Sequence, residues 1–307
     1  MKFITHPIIC LLAISLSLSA QTAEVPKDRI TALREAMSDP SGKQVLIAAH
    51  RGDWRNHPEN SLAAIRSCVT AGFDIVEIDV RLTADRQPVI IHDKTLDRST
   101  DGEGGVSRRT LASLREIRLR DHAGHPTGEG IPTLREALEA CRGQILVFID
   151  KAELCLPEVA AVVSEMKMDD QVILFLRERM TEDSFRRQFA PLVGSRVLFI
   201  PLIRTADGPA SDYISSVERY LNPVAYALEF DKPDFDLGAI SKELSGHGAR
   251  LLVSPLWPSI CGGYDDETAV RNPDATWGRL LRTGTTIMVT DRPHEMLGYL
   301  RSESRHP

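Results

Sequence analysis

Residues 145–166 read ILVFIDKAELCLPEVAAVVSEM. The stretch opens on an unbroken apolar run, Ile145 to Ile149, the mark of a strand covered on both faces. Asp150 ends that run, and the residues from there to Pro157 read as a loop entering a helix, with proline where a helix start tolerates it. Val159, Val162, Val163 and Met166 then recur at helical spacing. The unit is a buried strand, a polar exit and an amphipathic helix.

The same unit recurs on both sides. Strands are expected at Val45–Ala49, Ile75–Leu82, Ile145–Asp150, Val172–Leu176, Val197–Leu202, Tyr226–Phe230, Arg250–Pro255 and Thr286–Thr290. Helix-like segments lie between them, such as the stripe Leu134, Ala137, Leu138 and Cys141. Eight such units predict an α/β fold, a closed (β/α)8 TIM barrel forming a single domain over residues 21–307. A doubly wound open sheet is the alternative, but no glycine-rich nucleotide fingerprint follows the first strand. One segment breaks the alternation. Pro88–His92 is a short β-type run, and a polar, glycine-rich insertion follows over about 93–131. That is long for a barrel loop, and insertions of this kind tend to be functional.

Of 307 residues, 42% are hydrophobic and 26% charged, which are globular proportions. A net charge of −6 without a basic block offers no footprint for nucleic acid. Residues 1–20 have the form of a cleaved secretory signal: Lys2, an apolar core from Ile8 to Leu18, then Ser19 and Ala20. A cut after Ser19 or Ala23 fits as well. The core is short for a membrane span, so the expected product is secreted or periplasmic, without a stable membrane anchor. Cys68, Cys141, Cys155 and Cys261 match no zinc spacing, and the sequence leaves free thiols and a disulfide both open.

Barrel chemistry sits at the C-terminal ends of the strands. There the sequence places His50-Arg51-Gly52, the pair Glu77 and Asp79, Asp150-Lys151, Glu229 and Asp291. Glu77 and Asp79 are two apart and share one side of their strand. Two buried like charges repel, and a divalent cation relieves both burial and repulsion. Asp150 is placed to add a third oxygen, a set suited to magnesium, calcium or manganese rather than zinc. The alternative is a structural network in which Arg51, Arg81 or Lys151 neutralises the acids. His50 and His92 each end an apolar run beside a charged neighbour, and two histidines at one site can serve as base and acid. His57, His122, His125 and His247 lie in polar loops. Arg51 and Lys151 would complement a phosphate. Trp257, Tyr264 and Trp277 stand between wall-lining and packing roles, and Glu59, Glu229 and Asp291 between site and structural roles.

These residues, in this order, resemble the glycerophosphodiester phosphodiesterases. The matching segments are His50-Arg51-Gly52, Pro58-Glu59-Asn60-Ser61, Glu77-Ile78-Asp79-Val80, His92-Asp93, Arg98-Ser99-Thr100-Asp101-Gly102 and Thr290-Asp291-Arg292-Pro293. The dense match covers Ile47 to about Gly104, and the middle of the chain is matched mainly by its strand–helix order. The resemblance implies a barrel with a small insertion after its second strand. It also implies catalytic places for His50 and His92, metal places for Glu77 and Asp79, and a phosphate contact for Arg51. It assigns proton removal from the nucleophile to His50 and proton supply to the leaving alcohol to His92. The implied substrate is a small phosphodiester, hydrolysed to an alcohol and glycerol 3-phosphate. The third strand departs from the family pattern. A glutamate with a lysine two positions on is replaced by Asp150-Lys151, which shortens the acid and moves the lysine one position early. Two other readings stay open: a lyase that leaves a cyclic phosphate from phospholipids, and an exported phosphodiester-binding protein without turnover.

Overall fold

The computed structural model describes residues 29–192 and 194–307. The expected leader, residues 1–20, lies outside the described residues. Eleven strands follow in chain order: β1 Leu46–Ala49, β2 Ile75–Leu82, β3 Pro88–Ile90, β4 Arg118–Arg120, β5 Pro126–Gly130, β6 Leu146–Asp150, β7 Val172–Leu176, β8 Leu198–Arg204, β9 Ala225–Glu229, β10 Arg250–Val253 and β11 Ile287–Thr290. Eight of them, β1, β2 and β6 to β11, pair in parallel, and β11 closes on β1 through Leu46↔Ile287 and Ala49↔Thr290. The eight expected strands are all present, with ends within two residues of the expected ones.

Local chemistry sets the helix ends. Ser61 caps Leu62–Ala71 by accepting from the Ala64 N–H at 3.0 Å. Thr133 and Glu136 form a capping box at the start of Leu134–Cys141. Pro157 lies in the first turn of Leu156–Met166.

The alternation of each strand sorts side chains into two layers. Leu46, Ala48, Ile75, Phe148, Phe175, Leu202, Ala227, Leu252 and Val289 fill the lumen. Leu33 and Met37, from the helix Arg29–Ser38, belong to the same cluster and plug one end of it. Arg250, 2% exposed, fixes that helix by donating to Ala36 O and to Gln44 O at 2.5 Å. The outer layer packs strands against helices and takes up Cys68, Cys141, Cys155, Cys261 and Trp277. All four thiols are free and buried. Among the described residues, no helix is long and apolar enough to cross a membrane.

The insertion is more structured than its polar sequence suggests. β3 runs antiparallel to β2, with Val80 opposite Ile90, and β4 and β5 form a separate hairpin. Val89, Ile91, Leu96, Val106, Leu114, Leu119 and Ile131 make a small core of their own.

Candidate active site

The inward positions of the strands are apolar low in the barrel and charged where the strands end. Ile75 lies in the lumen, and Glu77, Asp79 and Arg81 continue its side of β2. Phe148 is followed two residues on by Asp150, Phe175 by Arg177, Leu202 by Arg204, Ala227 by Glu229 and Val289 by Asp291. The barrel therefore presents a charged ring around a cleft of roughly 430 Å3, floored by Phe148, Phe175, Leu252 and Val289. That size suits a small ligand.

Glu77, Asp79 and Asp150 bring carboxylate oxygens within 4.8 Å of one another, and all three residues are buried. Asp79 and Asp150 are register partners across β2 and β6. Burial first, then the charge of Asp79, raises the Glu77 carboxyl well above its ordinary range. Asp79 goes the other way: burial opposes it, but the charges of Lys151, His92 and Arg51 hold it low. Asn60, in the left-handed region at φ 59°, secures Asp79 by donating to Oδ2 at 2.9 Å and accepting its N–H at 3.1 Å. Arg51, also left-handed at φ 53°, turns its backbone N–H onto Glu77 Oε2 at 2.7 Å.

Lys151 stands at φ 65° directly after β6. Its ammonium bonds Asp79 and lies 3.1 Å from Asp150 Oδ2. This lysine thus takes the acid-neutralising place that the sequence left open for it. The donor set still fits a hard divalent cation: three buried carboxylates converge, one of them is strained by like charge, and among the described residues no histidine or cysteine joins the cluster.

The two histidines sit on the same cleft. His50 donates from Nδ1 to Asp291 Oδ1 at 2.7 Å, and Trp54 Nε1 donates to the same oxygen at 2.6 Å. That bond fixes the tautomer and, among the described residues, leaves Nε2 of His50 unengaged. Burial lowers His50, but the Asp291 bond and the charges of Glu77 and Asp291 outweigh it and raise the imidazole. His92 bonds Asp93 Oδ1 through Nδ1 at 2.6 Å, yet here burial wins and the imidazole is lowered. Burial would raise Asp93, but Arg98 and His92 pull it to about 2.

The residues left open by the sequence find places. Glu59 takes a bidentate bond from Arg98 at 2.7 Å and a longer one from Arg51 at 3.3 Å; the helix cap beside it belongs to Ser61. Asp291 is the partner of His50. Glu229 pairs with Arg204 at 3.1 Å on the cleft wall. Trp257 lines the cleft and meets His50 edge-on at 5.8 Å, while Trp277 is buried. Sequence reasoning missed Asp266. Its carboxylate accepts from Trp277 Nε1 at 2.8 Å, Thr290 Oγ1 at 2.8 Å and the Asp291 N–H at 2.7 Å. It thereby fixes the turn that carries Asp291. No local signal marks it, because its partners come from two other segments.

The model of the family described as "Glycerophosphoryl diester phosphodiesterase family" matches residues 50–215. The chain belongs to this family. A model of a domain of unknown function matches residues 199–300. A glycerophosphodiester phosphodiesterase of Caldanaerobacter subterraneus subsp. tengcongensis is 44% identical over 97 residues, which cover 31% of this chain and 40% of that protein. Glycerophosphodiester phosphodiesterase 1 of Homo sapiens is 39% identical over 132 residues, 41% of this chain and 34% of that one. The match thus spans two fifths or less of the length of these relatives. Among solved structures, a glycerophosphoryl diester phosphodiesterase from Parabacteroides distasonis superposes with a TM-score of 0.72 at 23% identity, covering 89% of this chain and 92% of that one. An Oleispira antarctica phosphodiesterase, solved with the product sn-glycerol-3-phosphate, has a TM-score of 0.64 at 20% identity, covering 84% and 96%. At these identities the likeness is one of fold. This glycerophosphodiester phosphodiesterase family chain gathers His50, Arg51, Glu77, Asp79, His92 and Asp150 around one cleft, with Lys151 drawn onto the acids.

Proposed function

We propose that this protein hydrolyses glycerophosphodiesters to glycerol 3-phosphate and an alcohol, using His50 and His92 as its acid–base pair. The observation that carries this reading is the meeting, in one cleft, of a three-carboxylate cluster and two histidines each tethered by its own aspartate. Glu77, Asp79 and Asp150 would hold magnesium, calcium or manganese. When bound, such an ion supplies charge stabilisation to the phosphate oxygens.

The chain's own residues do the rest. Arg51 faces the same cleft and is placed to contact a phosphate oxygen. One histidine takes the proton of the attacking water as the new P–O bond forms. The other gives a proton to the alcohol oxygen as its P–O bond breaks, so proton count and charge balance over the step. The resemblance gives removal to His50 and supply to His92. The pKa directions favour the reverse, with His50 raised and His92 lowered. Lys151 on Asp79 and Asp150 is the one observation that favours a binding protein without turnover. We further infer export to the periplasm or beyond from the leader-like residues 1–20, which N-terminal sequencing of the mature protein tests.

The deciding experiment strips metal from the protein and adds back magnesium, calcium and manganese separately with a glycerophosphodiester. Release of glycerol 3-phosphate only with metal supports the reading and names the ion. A persistent cyclic phosphate moves the chemistry to the lyase, and retained but unconsumed diester moves it to the binding protein.

A further inference from the structure

Lys151 holds most of the oxygens that Asp79 and Asp150 bring to the carboxylate cluster. Its ammonium bonds Asp79 Oδ1 and lies 3.1 Å from Asp150 Oδ2, and its own N–H donates to Asp150 Oδ1 at 2.8 Å. The remaining oxygen, Asp79 Oδ2, accepts from Asn60 at 2.9 Å. An ammonium and a divalent ion on the same buried oxygens put like charges in contact where water screens them least. The two therefore exclude one another. The acids are held together by Lys151 in one state and by a metal ion in another.

The backbone allows the ammonium to leave without unravelling the loop. Lys151 stands at φ 65°, and its N–H stays on Asp150 whichever way the side chain turns. The side chain itself is a flexible stem with a compact charge at its tip. A further carboxylate waits on the same cleft. Glu153 belongs to the short helical turn Ala152–Leu154 and lines the cleft together with Lys151. Its Oε2 is buried and has no hydrogen-bond partner among the described residues. Leaving such an oxygen without a donor is costly. Burial, ahead of the charge of Asp150, raises the Glu153 carboxyl, and the charges of Arg177 and Lys151 pull against the rise. An arriving ammonium satisfies both the oxygen and the charge. Among the described residues, Glu153 is not one of the three converging acids, so it is free for this part.

We propose that Lys151 is a built-in competitor for the metal: its ammonium sits on Asp79 and Asp150 in the unloaded protein and moves to Glu153 when the site is loaded. This rests on the metal-dependent reading above. Apparent metal affinity then falls in proportion to the fraction of molecules whose acids are free of the ammonium. The test titrates Mn2+ alone into the metal-stripped wild type, Lys151→Met, Glu153→Gln and the double variant, reading free Mn2+ by electron paramagnetic resonance. Lys151→Met should bind roughly tenfold or more tighter than the wild type. Glu153→Gln should weaken binding by roughly threefold or more while Lys151 is present, and leave it unchanged in the Lys151→Met background. Effects that simply add across the two positions report charge acting through space, and overturn the proposal. Equal or weaker binding by a folded Lys151→Met overturns it too. Binding by none of the four proteins overturns the metal reading, and this proposal with it. If Lys151→Met does not fold, carbodiimide cross-linking of the wild type, mapped by mass spectrometry, decides. Lys151 should join Asp79 without metal and Glu153 with magnesium. The same product in both conditions, or none, sinks the exchange.

Discussion

His50 and His92 differ in one respect that matters for the proposed chemistry: their surroundings push them in opposite directions. Asp291 and Glu77 raise His50, whereas burial of His92 outweighs the help of Asp79 and Asp93. Alanine at either position should cut kcat by roughly a hundred- to ten-thousand-fold with folding intact. If the pKa directions set the roles, His50 is the donor. The alkaline limb of the kcat/KM profile then flattens in His50→Ala and the acid limb in His92→Ala. The opposite pairing of limbs restores the order implied by the resemblance. Asp266 acts one step further out, through Asp291. Burial pushes its carboxyl up to about 7 against the hydrogen bonds that hold it down. An amide there offers one carbonyl oxygen for donors that now share two. Asp266→Asn should lower kcat by roughly 10- to 100-fold with little change in KM, and should shift the pH limb that belongs to His50. A change in melting temperature alone, with kcat and its pH profile intact, would leave Asp266 a purely structural residue.

At the level of elements, the alternation of each strand carried most of the information. An apolar run ending in Asp150 or in Glu77-x-Asp79 announces both a strand and the end that bears chemistry, so the barrel strands and the carboxylate cluster were legible. Three features were not. Asp291 meets His50 across 241 positions, and Asp266 meets Asp291 across 25, so neither pairing leaves a local pattern. The place of Lys151 depends on a left-handed backbone angle that its sequence neighbours do not demand. The third is the insertion, whose apolar residues are spaced too irregularly for a period to show. Yet Leu96, Leu114 and Leu119 are each at most 1% exposed within its small core. Leu119→Ala should destabilise this region by about 2–5 kcal/mol. It should open residues 93–131 to proteolysis before the barrel yields. Simultaneous cleavage everywhere would show that the insertion does not unfold as a separate unit.

For the whole molecule, the chain end matters as much as the barrel. Val45 donates its N–H to Arg305 O at 2.8 Å, and His306 Nε2 meets Asp74 Oδ2 at 2.9 Å with both side chains nearly buried. That same aspartate oxygen accepts the Ile47 N–H at 2.9 Å. Burial lowers His306, but the bond and charge of Asp74 outweigh it and raise the imidazole. A raised folded-state pKa gives stability that is present in full below the unfolded value, near 6.5, and lost as pH rises through the folded value. His306→Gln should therefore depress the melting temperature more at pH 5.5 than at pH 8.5 (about three units apart, spanning the transition). An equal depression at both would show that the charge of His306 contributes nothing.

The bond between His50 and Asp291 joins the exit of the first barrel strand to the exit of the last. A nascent chain has made His50 long before the aspartate that orients it exists in folded form. Until the ring closes, the carboxylates of β2 and β6 can gather, but His50 has no orienting partner. If the proposed activity holds, turnover therefore reports finished topology. In a refolding experiment it should return with the slowest ring-closing step rather than with the bulk of the secondary structure, because the pairing most distant in sequence forms last.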